Sequence, residues 1–288
     1  MNVLSVTNLS MRFGGIMALN QVSFAVSQGS ITALIGPNGA GKTTAFNCIT
    51  GFYQATQGEI QLHLLDHTVD IRRILGQPFV WQDLVQPGRV VKKLFYRWFG
   101  GSHLVNRAGV ARTFQHARLF REMTVLENLL VAQNRSVNCN PLAGLFATRS
   151  FRHAEAQAIQ TAAQWLHFMG LKGEANLLAG ALPYGHQRRL EIARALCTKP
   201  KLICLDEPAA GLNPIETKEL CELIRRIRDM HHISVLLIEH DMSLVMEISD
   251  HVVVLDHGEV IASGTPEQIR RDPKVLEAYL GTAQVGDA

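Results

Sequence analysis

The sequence predicts an α/β protein whose mostly parallel core sheet is covered by helices. Three apolar runs of strand length, at 31–36, 201–208 and 233–241, end in glycine or in polar residues. Segments with the apolar spacing of helices lie between them, and this alternation is typical of a parallel sheet with both faces buried. The chain has 288 residues, of which 47% are hydrophobic and 18% charged. It can therefore bury a core of this kind.

The first predicted strand leads directly into a predicted helix. The strand ITALIG (31–36) is followed by GAGKTTAFNCITG, in which Ala45, Phe46 and Ile49 have helical spacing. Gly51 suits the C-terminal cap of this helix. The expected local order is therefore strand, glycine-rich loop and helix.

The second half of the chain repeats this alternation. Between the strands at 201–208 and 233–241, the segment IETKELCELIRRIRDM predicts a helix preceded by Asn213 and Pro214. Residues 251–264, HVVVLDHGEVIASG, predict a hairpin that turns at Asp256 to Gly258. The pattern thus indicates further strands of the same sheet.

Residues 152–199 differ from the rest, because their spacing reads as helical throughout. We expect them to form a helical insert that interrupts the sheet. The sequence contains no evident internal repeat or low-complexity tract.

The composition excludes few classes of protein, but it indicates the cellular setting of the chain. Twenty-eight basic and 25 acidic residues leave a net charge of +3, which gives no argument for nucleic-acid binding. The five cysteines form no CxxC pair and mostly lie in apolar runs, as reduced, buried thiols of cytosolic proteins do. The N-terminus has no signal-peptide pattern and no run approaches the length of a membrane span. We expect neither an exported nor a membrane-spanning chain.

A phosphate-binding loop follows the first strand. The segment GPNGAGKTT matches G-x-x-x-x-G-K-[ST], and unpaired N–H groups at a helix N-terminus bind phosphates. Lys42 is expected to contact the β- and γ-phosphates, and the Thr43 hydroxyl to bind Mg²⁺. The alternative is a glycine-rich turn that merely joins strand to helix. We expect a nucleoside triphosphate to contact the whole loop: Gly36, Pro37, Asn38, Gly39, Ala40, Gly41, Lys42, Thr43 and Thr44.

Acidic residues end the strand LICLDEP, and a histidine follows the next strand. Asp206 is expected to hold Mg²⁺ through water and Glu207 to act as general base on the attacking water. His240 is placed to contact the γ-phosphate and that water. Alone, such an acidic pair is more often an ordinary loop start or helix cap, but ligands of α/β sheets bind at this edge.

In these motifs and their order, the sequence resembles the ATP-binding subunits of ABC transporters, over nearly the whole chain. The further motifs are an aromatic A-loop candidate at Phe13, a glutamine loop at Gln115 in RTFQ, the signature region LPYGHQRRLEIARAL and the D-loop AAGLN. The segments FGGIMALNQVSF, ARTFQHARLFREMTVLENLLVAQ and LDEPAAGLNPIET are similar to the LivG-like ATPases of branched-chain amino acid uptake.

The resemblance implies a P-loop ATPase fold with an antiparallel β-subdomain and a helical subdomain. It divides the chain into a core at about 1–62 and 200–265, an insertion at about 63–107, a helical subdomain at about 115–198 and a C-terminal helical tail at about 266–288.

The resemblance also implies ligands and roles. The cofactors are ATP and Mg²⁺, with Gln115 joining Thr43 and Asp206 as metal ligands and Phe13 stacking on the base. Tyr184, Gly185 and His186 would contact a nucleotide held by a partner subunit, and the Gln115 to Leu126 region, with Arg118 and Phe120, would contact the permease.

The implied assembly is an importer for branched-chain amino acids at the cytoplasmic face of the inner membrane. Its other members are a second ATP-binding subunit, two transmembrane permease subunits and, indirectly, a solute-binding protein, with no nucleic acid. The alternatives are the ATPase of another ABC system, such as a different amino acid or amide importer or a lipid exporter, and lastly a soluble ABC-type ATPase. The sequence lacks the long heptad arms of ABC machines that act on DNA and the N-K-x-D motif of GTPases.

The signature departs from the common L-S-G-G-Q pattern. Pro183 stands where the pattern has a serine, and it has neither a hydroxyl nor an N–H. Gly185 still permits close approach, and His186 offers an extra donor. Two interpretations stay open: a weakened ATP site, or a proline that simply precedes a helix.

The insertion at 63–107 is longer than a compact family member needs. Its segment VVKKLFYRWF places Val91, Leu94, Phe95 and Trp98 at helical spacing. This stripe fits a satellite core that folds the insertion onto its own domain, or a helix that docks on a partner or a membrane surface.

Overall fold

The coordinates are a computed structural model, which describes residues 1–64, 66–76, 101–115, 118–133 and 148–283. The segment from Val91 to Trp98, for which the sequence left two interpretations open, lies outside the described residues. Cys139 also lies outside them.

Within the described residues, ten strands form two sheets. The strands are β1 (Asn2–Phe13), β2 (Ile16–Ser27), β3 (Ile31–Ile35), β4 (Gln57–His63), β5 (Thr68–Asp70), β6 (Val110–Arg112), β7 (Leu202–Asp206), β8 (Ser234–Ile238), β9 (His251–Asp256) and β10 (Glu259–Gly264). The helices are α1 (Lys42–Ile49), α2 (Ile71–Ile74), α3 (Ser102–Ala108), α4 (Val125–Ala132), α5 (Arg149–Phe168), α6 (Tyr184–Leu196), α7 (Pro214–His231), α8 (Met242–Ile248), α9 (Pro266–Arg270) and α10 (Pro273–Ala283).

The core sheet has the strand order β10-β9-β3-β8-β7-β6. β3 lies between β8 and β9 and is parallel to both, and β6, β7 and β8 also pair in parallel. Only β10 runs antiparallel, through the predicted hairpin with β9. The carboxyl ends of β3, β7 and β8 therefore meet at one edge, where the predicted site residues follow them. The mostly parallel sheet predicted from the sequence is confirmed.

The second sheet is antiparallel, with the order β2-β1-β4-β5. Its buried side chains, such as Leu4, Leu9 and Val22, share one apolar cluster with Phe46 and Ile49 of α1. The antiparallel sheet thus packs on the helix that follows the phosphate loop. β1, β2 and β4 fall in the range 1–62 that was assigned to the core, but of that range only β3 belongs to the parallel sheet.

The helical region contains two long helices separated by fifteen irregular residues, so the prediction that 152–199 is helical throughout is wrong. α5 ends at Phe168, and Gly170 adopts a left-handed φ of +76°, which ends the helix. Two short 3₁₀ turns follow, at Lys172–Glu174 and Ala179–Ala181. Pro183, with φ −54° and ψ 151°, then precedes the first turn of α6.

The helix before β8 begins as its sequence predicts. The Asn213 side chain accepts hydrogen bonds from the N–H groups of Ile215 and Glu216, the Glu216 side chain accepts from the Asn213 N–H, and Pro214 is the first residue of α7. This reciprocal cap satisfies backbone donors that would otherwise be unpaired.

The described cysteines are free thiols in the core, as their apolar contexts predict. Cys48, Cys197, Cys204 and Cys221 are all buried, and burial raises the pKa of Cys48 and of Cys197 to about 12. Among the described helices, none combines the length and apolarity needed to cross a membrane.

Candidate nucleotide-binding and hydrolysis site

The phosphate loop lies between β3 and α1. Its last residue, Gly41, occupies the N-cap of α1 with φ +97° and supplies no side-chain cap. The first N–H groups of α1 therefore have no side-chain acceptor at the cap, and the positive end of the helix dipole faces the loop. This is the local geometry that binds a phosphate group.

Two glycines of the loop are required by close packing. A Cβ atom on Gly36 would lie 2.0 Å from the carbonyl oxygen of Leu255, and one on Gly41 would lie 2.7 Å from that of Ala18. Both residues also have positive φ angles, +147° and +97°. The loop is therefore enclosed by β9 on one side and β2 on the other.

Lys42 is the first residue of α1, and its side chain extends into this loop. Its side chain is buried, and Nζ donates hydrogen bonds to the carbonyl oxygens of Gly36 at 2.6 Å and Pro37 at 2.8 Å. Burial lowers the pKa of Lys42, while the negative charge of Glu207 opposes that shift. The ammonium is thus directed at oxygen acceptors within the loop, where phosphate oxygens can bind it.

The two predicted carboxylates follow β7 as expected. Asp206 is the last residue of the strand, and Glu207 follows in a left-handed conformation with φ +45°. The N–H of Glu207 donates to the carbonyl oxygen of Ile238 at 2.9 Å, which fixes this turn. Left-handed non-glycine residues are uncommon and cluster at functional sites.

Gln115 and His240 both lie close to Glu207. The Gln115 amide Nε2 donates a hydrogen bond to Glu207 Oε2 at 3.0 Å. His240 Nδ1 is 3.8 Å from the same oxygen, and its side chain is 64% exposed. The structure therefore brings together, around one carboxylate, residues from three separate segments that the sequence predicted.

Arg112 is a site residue that the motifs did not identify. Its Nη2 donates to Asp206 Oδ2 at 2.9 Å, and its Nη1 donates to Asn47 Oδ1 at 2.5 Å and to Thr50 Oγ1 at 2.9 Å. Burial raises the pKa of Asp206, and Arg112 opposes that shift. Arg112 thus connects the acidic strand end with the helix of the phosphate loop.

Three aromatic rings surround the same guanidinium. Its Cζ lies 4.9 Å from the ring centroid of Phe46, 4.8 Å from that of Phe52 and 5.2 Å from that of Phe114. Cation–π contacts of this kind hold a partly desolvated arginine in place. An arginine at the end of a three-residue strand has no sequence signature, so only the pairing of β6 with β7 could have identified it.

Glu239 is a second residue that the motifs missed. It follows β8, is 1% exposed, and accepts hydrogen bonds from the N–H groups of Ala209 at 2.9 Å and His240 at 3.2 Å. Burial raises the pKa of Glu239. This carboxylate ties the D-loop to the segment that carries His240.

The A-loop candidate Phe13 lies at the end of β1 and is 42% exposed. Its ring packs edge-to-face on Tyr53, with centroids 5.4 Å apart. Phe13 and Tyr53 therefore form an exposed aromatic pair.

The signature residues at the start of α6 lie against other segments of the chain and not against the phosphate loop. A Cβ atom on Gly211 would lie 3.1 Å from the Tyr184 ring, and one on Gly185 would lie 2.7 Å from Glu216 Oε1, so neighbouring side chains approach both glycines closely. His186 Nδ1 lies 2.8 Å from Glu174 Oε1. Pro183 makes no side-chain cap. These contacts position the start of α6 without involving the phosphate loop.

The fold and the site together define a class of protein. A glycine-rich loop between a buried parallel strand and a helix, with a buried lysine and carboxylates at the same sheet edge, is the arrangement of P-loop ATPases. The profile of the family described as "ABC transporter" matches residues 19–210. A second profile, described as "Branched-chain amino acid ATP-binding cassette transporter", matches residues 259–285.

Curated relatives are similar over almost the full length. The high-affinity branched-chain amino acid transport ATP-binding protein BraF of Pseudomonas aeruginosa is 51% identical over 98% of both chains. The corresponding protein LivG of Escherichia coli K12 is 50% identical over 98% of both chains. The probable LivG of Archaeoglobus fulgidus is 35% identical and covers 98% of this chain and 96% of its own.

Solved structures of ATP-binding cassettes are similar to this chain over almost its full length. A nucleotide-free ATP-binding cassette from an ABC transporter has a TM-score of 0.74 at 32% identity, covering 97% of this chain and 99% of that chain. The ADP conformation of an ATP-binding cassette of an ABC transporter has a TM-score of 0.73 at 32% identity, covering 98% and 99%. The chain therefore belongs to the ABC transporter family, among its branched-chain amino acid ATP-binding proteins, and it is an ATPase. The family, the fold class and the ATPase activity predicted from the sequence are confirmed.

Proposed function

We propose that this chain binds and hydrolyses ATP to power an importer of branched-chain amino acids. The observation that carries the proposal is the 51% identity to BraF over 98% of the chain. Relatives named for the same transport extend to an archaeon at 35% identity.

The site suits hydrolysis of the γ-phosphate, in which positioning and electrostatics supply most of the catalysis. The N–H groups of the loop and the Lys42 ammonium bind the phosphate oxygens. Glu207 accepts a proton from the attacking water, and its carboxylate is oriented by the Gln115 amide at 3.0 Å. His240, beside Glu207, contacts the γ-phosphate.

The donor set around this edge also fits Mg²⁺. Thr43 supplies a hydroxyl, Gln115 an amide oxygen and Asp206 a carboxylate, and Mg²⁺ prefers hard oxygen ligands together with water and substrate phosphates. Thr43 is exposed on the first turn of α1, and Asp206 is fixed by Arg112. When bound, the metal neutralises charge on the phosphates.

The proposed working unit contains two ATP-binding subunits arranged head to tail. In that arrangement Tyr184, Gly185 and His186 contact the nucleotide on the partner's phosphate loop. Two transmembrane permease subunits and, indirectly, a solute-binding protein complete an assembly at the cytoplasmic face of the membrane. The Phe120 side chain, which is 48% exposed in the Gln115 to Leu126 region, supports a permease contact there.

Reconstitution tests this function. The chain is co-expressed with the sister ATPase and permease genes and purified into proteoliposomes, and uptake of labelled leucine is measured with ATP enclosed on the side of this chain. We expect leucine uptake and ATP hydrolysis to rise together when the solute-binding protein is added. ATP hydrolysis that is coupled to uptake of a different solute, and not to leucine, isoleucine or valine, would overturn the proposed substrate.

A further inference from the structure

The helix α6 carries a buried ion pair that faces the glutamine loop. Arg188 and Glu191 are one helical turn apart, their side chains are 3% and 2% exposed, and Arg188 Nη1 lies 3.3 Å from Glu191 Oε2. Burial raises the pKa of Glu191, and Arg188 opposes that shift. A buried pair is costly unless its remaining donors and acceptors are satisfied, so their other partners are informative.

Those partners are main-chain groups of the glutamine loop. Arg188 Nη1 donates to the carbonyl oxygen of Phe114 at 2.8 Å, and its Nη2 donates to the carbonyl oxygen of Gln115. Glu191 Oε1 accepts from the N–H of Phe114 at 3.1 Å and from that of Arg118 at 3.5 Å. The ion pair therefore holds the main chain on both sides of Gln115, and these contacts do not depend on the Gln115 side chain.

This set of contacts extends to the carboxylate of Glu207, the proposed general base. Gln115, held through its own carbonyl, donates its side-chain amide to Glu207. At the other end, the guanidinium of Arg188 lies 5.2 Å from the ring centroid of Tyr184, the first residue of α6. A continuous set of contacts thus runs from the start of α6 through the ion pair and the glutamine loop to Glu207.

We propose that Arg188 and Glu191 are positioning residues for ATP hydrolysis, which fix Gln115, and through it Glu207, relative to α6. A displacement of the start of α6 then changes the orientation of this chain's general base. In the proposed head-to-tail pair, that start contacts the partner's nucleotide, so occupancy of one site is reported to Glu207 of the other. This last step rests on the proposed function, whereas the positioning itself does not.

A double-mutant cycle distinguishes positioning from a purely structural contribution. We expect Arg188→Met to lower kcat by about tenfold with little change in KM for ATP. If Arg188 acts through Gln115, adding Arg188→Met to a Gln115→Ala background lowers kcat no further. Effects that multiply in the double variant would overturn the proposal.

The neighbouring residue supplies a matched control. Arg189 lies on the same helix but pairs with Glu219 at the surface, and we expect Arg189→Met to leave kcat unchanged. Arg188→Lys keeps the buried charge but cannot serve both carbonyl groups, so it should retain the fold and an intermediate kcat. A loss in Arg189→Met equal to that in Arg188→Met would also refute the positioning role.

Hydrogen exchange gives a readout other than activity. In the Arg188→Lys variant, the amide groups of Thr113, Phe114, Gln115 and Arg118 should exchange faster than in the parent, with the melting temperature within a few degrees. In a Glu207→Gln complex trapped with ATP, protection of this segment should rise in the parent and rise less in Arg188→Lys. Equal protection in both proteins would contradict the coupling. Neither measurement involves a transported solute, so a wrong substrate assignment leaves these results unaffected.

Discussion

The phosphate-loop region and the signature region, here called the two halves of the nucleotide-binding machinery, differ in how many of their contacts come from within the chain. At the phosphate-loop half, Lys42 is buried with two carbonyl partners and Asp206 is paired with Arg112. At the signature half, Tyr184 is 41% exposed and Pro183 makes no cap. Contacts within the chain therefore hold the key side chains of the first half, whereas the second half is proposed to complete its site only with a partner subunit. Pro183, with φ −54° and ψ 151°, is compatible with the start of α6, so the fold accepts a proline at this position.

The largest effect should come from Glu207, the proposed general base in the phosphate-loop half. Glu207→Gln keeps the shape of the side chain but cannot accept a proton, so kcat should fall by about 100-fold or more while ATP still binds. Single-turnover hydrolysis and nucleotide binding in the assembled complex measure the two quantities separately. Glu222→Gln, on the exposed face of α7, is the matched control. Parent-like turnover in Glu207→Gln would exclude this residue as the base.

Arg112 tests whether the stability of the phosphate-loop half depends on its buried ion pair with Asp206. Arg112→Met leaves Asp206 without its charged partner in a buried position, so the free energy of unfolding should fall by about 3 kcal/mol. Chemical denaturation measures it, with Arg228→Met as a control for a surface ion pair. Adding Asp206→Asn to Arg112→Met should recover part of the lost stability. An unchanged denaturation midpoint in Arg112→Met would mean that the pair does not stabilise this half.

Lys42 tests the ligand affinity of the same half. Lys42→Ala removes the charge that the loop directs at the phosphates, and ATP affinity should fall by at least about tenfold. Titration with a fluorescent ATP analogue measures this. The folded structure should persist, because within the described residues the hydrogen bonds of Lys42 go to carbonyl groups of its own loop. Unaltered affinity would place the triphosphate elsewhere.

Pro183 tests the incomplete half, where effects are smaller. Pro183→Ser restores a hydroxyl to the start of α6, and the ATPase activity of the isolated protein should rise a few-fold, about 1 kcal/mol. Pro183→Ala restores only the backbone N–H and separates the two contributions. If serine and alanine give the same activity, the hydroxyl contributes nothing and the proline is simply a helix start.

His186 sharpens the same comparison. His186→Ala should lower the isolated protein's ATPase activity by a factor of about two to three, because in the proposed head-to-tail pair it removes a donor near the partner's phosphate. Glu174→Gln keeps the imidazole but weakens the 2.8 Å contact that holds it. A loss in His186→Ala with none in Glu174→Gln would assign the effect to the imidazole itself. If neither variant changes the activity, and Pro183→Ser does not change it either, the interpretation of a weakened ATP site is wrong and Pro183 simply precedes a helix.

The local sequence pattern predicted the phosphate loop and the ends of β7 and β8. A strand, a glycine turn and the start of a helix are each determined by neighbouring residues. Asp206 and His240 could be placed for the same reason, since parallel strands end at one edge. Arg112, Glu239 and the Arg188–Glu191 pair could not, because each depends on which distant backbone packs against it. The break after Phe168 was missed since Gly170 acts through a left-handed φ that helical spacing does not report.

The order of strands in the core sheet has a consequence for synthesis. β3, which carries the phosphate loop, pairs only with β8 and β9, and these end at Ile238 and Asp256. As the chain leaves the ribosome, the ATP-binding loop is made early but its supporting strands emerge some 200 residues later. The nascent chain therefore remains unable to bind ATP until most of it has been translated. Any prematurely terminated product that lacks β8 and β9 exposes β3 as an unpaired apolar segment, a substrate for chaperones and proteases.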